Sequence, residues 1–245
     1  MINAKYLFTF GLLLFVGVFT AFAPAAIAPR FVQFPAAFTY SALEGTLWNV
    51  SVKDAYWQSR SVGDVSFSIS PAAIFSGATT GQFLLQKKNT GGSGRATVSE
   101  TLLLENFEFH DQLRVKLGAV PLVGGVTIVG KHLEWNSRGQ CLAVKATLTT
   151  DIPAIMLADF RSGIPDTVAN LSCANGDLQV SFEQDVGVGR LSGTGNVQGS
   201  AVVNLELVLR FSDQAAISDP TTKFIRRLGF RLKQDGWYSE VILQL

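Results

Sequence analysis

Two histidines, two cysteines, one glycine-rich run and one basic cluster are the features of this chain that could carry chemistry. His110, in ENFEFHDQ, and His132, in GKHLEW, have no partner at the spacing a metal site or a catalytic triad needs, and HExxH and GxSxG are absent. Cys141 and Cys173 belong to no CxxC pair and no Cys/His set, so they are not a zinc site. The run GVGRLSGTGNVQG has glycines at GxG spacing, but it lies among strand patterns. A phosphate loop needs a strand-to-helix junction, so turns or bulges are the reading here. Lys223, Arg226, Arg227, Arg231 and Lys233 form the one concentration of charge. A solvated helix face is its plain explanation, and contact with lipid headgroups or a protein partner is the alternative. No catalytic residue, metal or cofactor is expected, and the chain is read as no enzyme.

The elements that must carry these residues are strands. Apolar and polar residues alternate in GDVSFSISP, where Val65, Phe67 and Ile69 oppose Ser66, Ser68 and Ser70. The same period places Trp48, Val50, Val52 and Tyr56 on one face, then Val126 and Ile128, then Leu142, Val144, Ala146 and Leu148. It recurs in Leu178, Val180 and Phe182, and in Val203, Leu205, Leu207, Leu209 and Phe211. Turns are expected at Gly91–Gly94, Gly124-Gly125, Asn175-Gly176, Gly193–Gly195 and Asp235-Gly236. Helical signals are few: a turn at Pro71–Ser76, a short helix between Asp151 and Gly163, and one opened by Ser218 or Asp219 and closed by Gly229. The last residues read as a closing hairpin. The fold class is all-β, a curved, mostly antiparallel sheet or sandwich-like body with a few short helices. It forms one domain, or two loosely divided near residue 124.

The charge balance excludes nucleic acid as a partner, with 20 Lys plus Arg against 19 Asp plus Glu. Nearly half the chain is hydrophobic, and the excess sits at the front, where no charge separates Lys5 from Arg30. Residues 6–23, continued by a Pro-Ala tail, approach the roughly 20 apolar residues that cross a bilayer. Residues 1–30 therefore read as a cytoplasmic stub and single transmembrane anchor, with residues 31–245 as an exported β-rich domain. Lys5 favours an inside amino terminus. The alternative is a cleaved signal peptide using Ala23/Ala25 before Ala26. In an oxidising compartment two lone cysteines usually pair, so a Cys141–Cys173 disulfide is expected; the alternative is two buried thiols in a cytosolic protein.

EGTLWNVSVKDAYW, followed by VGDVSFSISPAAIFSGATTGQF, resembles the type II secretion system protein N family. The motif residues here are Gly45, Thr46, Leu47 and Trp48, then Gly63, Asp64, Val65, Pro71 and Gly77. Cys141 and Cys173 look like that family's pair, and DGWYSEVILQL is similar to its closing strand. Asn49-Val50-Ser51 stands where a small, Gly-rich continuation would match. The likeness runs from about residue 5 to the end. It implies an accessory, non-enzymatic subunit in the cell inner membrane, with most of the chain in the periplasm. Such a subunit would aid export of folded proteins through contacts with other secretion-system subunits. A more distant resemblance to AsmA-like anchored β proteins implies the alternative, a sheet whose apolar face holds lipid acyl chains.

Overall fold

The computed structural model describes residues 10, 12, 14–15, 17–18, 21–30, 38–57, 60–70, 79–157, 163–187, 189–198, 202–212, 218–233 and 236–244. The turn expected at 71–76 and Asp235 lie outside them. The chain divides into two compact units, Met1–Ser99 and Glu100–Leu245.

The first unit is an antiparallel sheet of β1 (Phe38–Thr39), β2 (Ala42–Gly45), β3 (Asn49–Trp57), β4 (Arg60–Ile69), β5 (Thr79–Lys87) and β6 (Thr90–Val98). Strands β3 to β6 pair in chain order, and β1 and β2 line successive halves of β3. Alternation decides the faces. Val50, Phe67 and Phe83 are cross-strand neighbours on one side, while Ser51, Ser66 and Leu84 align on the other. The expected face breaks once. Asp54 takes φ +46° in a bulge between Val52 and Ala55, and the extra residue reverses the phase. Ala55 is therefore fully buried and Tyr56 is 39% exposed, the reverse of the strict alternation expected.

The second unit is an antiparallel meander of β7 (Thr101–Leu117), β8 (Val120–Asn136), β9 (Cys141–Thr150), β10 (Thr167–Ala174), β11 (Asp177–Asp185), β12 (Gly189–Gln198) and β13 (Val202–Phe211), closed by β15 (Gly236–Gln244) beside β13 and β14 (Arg231–Lys233) at the edge. In each unit the strands form an open sheet, not the face-to-face pair of a sandwich. Two helices cover the apolar side instead, α1 (Ile152–Met156) and α2 (Asp219–Arg227). The core joins Val115, Leu117 and Leu122 of the β7–β8 hairpin to Met156, Leu191, Leu207, Leu209, Ile225, Phe230 and Trp237.

Strands β7 and β15, far apart in the sheet order, thus share one core, so this unit's sheet bends around it. The bend closes where two glycines allow it. At Gly118, a Cβ would lie 2.4 Å from the Arg227 carbonyl oxygen, and Gly118 and Gly229 both have positive φ. The Ala119 N–H donates to that carbonyl at 3.0 Å.

Helix α2 follows its sequence signals. Ser218 Oγ accepts from the Thr221 N–H, Pro220 lies in the first turn, and Arg226 and Arg227 occupy the last. Gly229 ends it, with the Phe230 N–H donating back to the Ile225 carbonyl and both side chains buried. The expected turn at Asn175-Gly176 is a two-residue hairpin with positive φ at both positions.

Three expected turns are strand interiors. Gly91–Gly94 lies in β6, Gly124-Gly125 in β8 and Gly193–Gly195 in β12. In the last of these, a Cβ on Gly193 would meet the cross-strand Phe182 at 2.2 Å; Gly130, elsewhere in β8, makes the same room for Phe107, also at 2.2 Å. Leu142 also departs from its expected face. A register irregularity beside Trp135 leaves it 49% exposed.

Among the described residues, no helix is long and apolar enough to cross a membrane. The expected span at 6–23 falls partly outside the described residues. Those described in it are helical through Phe22, and their apolar side chains are exposed: Phe10, Leu12, Leu14, Phe15, Val18 and Phe22.

Candidate functional site

The residues singled out by motif form a structural clamp. Gly45 takes φ +88°, and a Cβ there would sit 2.2 Å from the Asn49 carbonyl oxygen, so glycine is the residue this turn accepts. The Thr46 N–H donates to the Asn49 carbonyl at 3.1 Å, and the Asn49 N–H returns a bond to the Thr46 carbonyl at 3.2 Å. Trp48 offers its carbonyl to the Ile69 N–H at 2.7 Å, fastening the turn to β4. Asn49, the point of departure from the family pattern, accepts a 2.7 Å bond from Ser68 Oγ through its side-chain oxygen.

The clamp holds the end of the N-terminal helix. Thr46 bridges Pro24, and the Leu47 N–H donates to the Ala23 carbonyl at 2.9 Å. Ala23 is 3% exposed and Ala25 0%, and a 3-10 helix (Ala25–Arg30) follows. Sequence reasoning found the motif and missed its partner. Ala23 and Ala25 read only as small residues suited to a cleavage site, whereas they are small because they are buried.

Farther along β3, its bulge is pinned by charge. Lys53 Nζ lies 3.0 Å from Asp64 Oδ2, the Asp54 N–H donates to Asp64 Oδ1 at 3.1 Å, and Ser41 Oγ donates to the Lys53 carbonyl at 3.0 Å. The Asp54 amide first, then the Lys53 ammonium, hold the Asp64 carboxyl below its usual range; its bond to Asp64 raises Lys53.

In the second unit Cys141 and Cys173 form a disulfide, with Cα atoms 5.5 Å apart, beside the β9–β10 ladder. Lys223, Arg226 and Arg227 on α2 and Arg231 and Lys233 on β14 are all exposed, and Lys233 Nζ sits 4.5 Å over the Tyr238 ring. The structure gathers these five on one helix and the adjoining edge strand, where exposed cations discourage pairing with another sheet. His132 Nε2 lies 3.7 Å from Glu134 Oε2, and His110 is exposed. Among the described residues no group of three His, Cys, Asp or Glu side chains could hold a metal ion. A shallow cavity of about 380 Å³ is lined by Thr194, Asn196, Asn204, Glu206 and Glu240.

Searches against curated proteins and against solved structures give no match. The family model for the type II secretion system (T2SS), protein N, matches residues 36–240, taking in the clamp, both cysteines and most of the closing strand. The chain therefore belongs to the type II secretion system protein N family.

Proposed function

We propose that this chain is an accessory, non-enzymatic subunit of the secretion apparatus, held in the inner membrane by its N-terminal helix. Its β-sheet units work in the periplasm through contacts with other subunits, supporting export of folded proteins. The single observation that carries this reading is the family match over 36–240. The exposed apolar residues of the N-terminal helix and the Cys141–Cys173 bridge support the location, because both suit a chain that leaves the cytoplasm anchored.

A second reading, a sheet that carries acyl chains, has one observation in its favour. Val144, Leu148, Leu171, Leu178 and Val180 share the apolar side of the second unit yet are only half-buried. One experiment separates the two: in-cell crosslinking, purification of the full chain from membranes in mild detergent, and mass spectrometry of bound proteins and lipids. Secretion subunits at near-stoichiometric yield without acyl chains support the first reading. Stoichiometric lipid with no subunit overturns it in favour of the second.

A further inference from the structure

We infer that the Gly45–Trp48 turn is the seat on which the N-terminal helix ends, and that it holds this end of the first sheet against the lipid headgroups, with Trp48 at the interface. The inference rests on the anchored reading above and adds to it a fixed point of contact with the bilayer.

Burial changes abruptly along the chain. Phe22 is helical and 74% exposed, whereas Ala23 and Ala25 are buried against the sheet. Only Ala23 separates the helical residue Phe22 from Pro24, which pairs with Thr46. Two residues reach at most about 7 Å, so no flexible linker stands between the apolar helix and the sheet. A helix whose apolar side chains face lipid up to Phe22 therefore places the clamp at the edge of the hydrocarbon. Tryptophan and tyrosine concentrate at that depth, because their rings have an apolar body and a polar tip.

Trp48 lies in the clamp itself and is half-buried. The competing role, an aromatic that only packs on the first strand, needs no lipid nearby.

Full-length protein in phosphatidylcholine vesicles brominated near the headgroup or at mid-chain tests this through tryptophan emission. Shallow bromines should quench one component of the emission from the four tryptophans. That component should vanish in Trp48→Phe and in Ala25→Glu, which puts a charge into the buried contact, while both variants still sediment with vesicles and keep their β-sheet circular dichroism. Unchanged shallow quenching in Trp48→Phe overturns the seat and leaves the anchor standing. Wild-type protein that fails to sediment with vesicles overturns both.

Discussion

Replacing Cys141 and Cys173 together by alanine isolates what the bridge contributes. The cysteines are 32 residues apart, and closing a loop of that size in the unfolded chain is worth about 3–4 kcal/mol on the chain-entropy account. The native state should change little, because β9 and β10 are already paired from Thr147↔Asn170 to Thr150↔Thr167, and the Cys141 N–H donates to the Gly176 carbonyl. Alanine is preferred to serine because Cys141 is only 4% exposed, and a hydroxyl there would add its own burial cost. In a unit of roughly 150 residues each kcal/mol moves Tm by about 2–4 °C, so the Glu100–Leu245 unit should melt about 6–16 °C lower. Calorimetry of the full chain with and without reductant reads this directly. Reduced wild type should melt with the double variant. Identical melting of oxidised wild type and variant would refute the reasoning, since the bridge would then constrain nothing.

Three further outcomes follow from the sheets. Phe67→Asp should cost about 3 kcal/mol or more and lower soluble yield, because Phe67 sits between Val50 and Phe83 on the apolar side. Ser66→Asp, on the opposite side, should stay within about 0.5 kcal/mol; equal losses in denaturant melts would mean the register is wrong. Gly193→Val should destabilise by about 1–3 kcal/mol through collision with Phe182, and Phe182→Ala should recover part of that loss in a double-mutant cycle. The Asp64 carboxyl titrates below its unfolded value, so its contribution is present above the ordinary carboxylate range and is lost as pH falls through its folded value. Asp64→Asn should therefore flatten the acid limb of stability against pH, and an unchanged limb would exclude this pair as its source.

The strands were legible wherever apolar and polar residues alternate without interruption, as in Val65–Ile69 and Val203–Phe211. They were harder to read where a bulge reverses the phase at Asp54, and where charge dilutes the pattern, as in β7 with Glu105, Glu108 and His110. Glycines misled most. In a single sequence closely spaced glycines signal a turn, yet Gly193 is small because Phe182 of the neighbouring strand lies over it, a pairing visible only in three dimensions. Helix α2 was readable, with only the choice between Ser218 and Asp219 as cap left open, because its proline, terminal arginines and stop glycine act locally. The clamp was half legible. Its motif stood out in sequence, but its partner lies about twenty residues away, in alanines with no signal of their own.

Proteinase K digestion of intact spheroplasts tests most directly whether an N-terminal helix holds a β body outside the cytoplasm. The account predicts that the chain stays in the carbonate-washed membrane pellet and that its sheet units are digested from outside, leaving only a short N-terminal fragment. A chain recovered in the cytosolic fraction, or a body that resists protease until the inner membrane is opened, would contradict it.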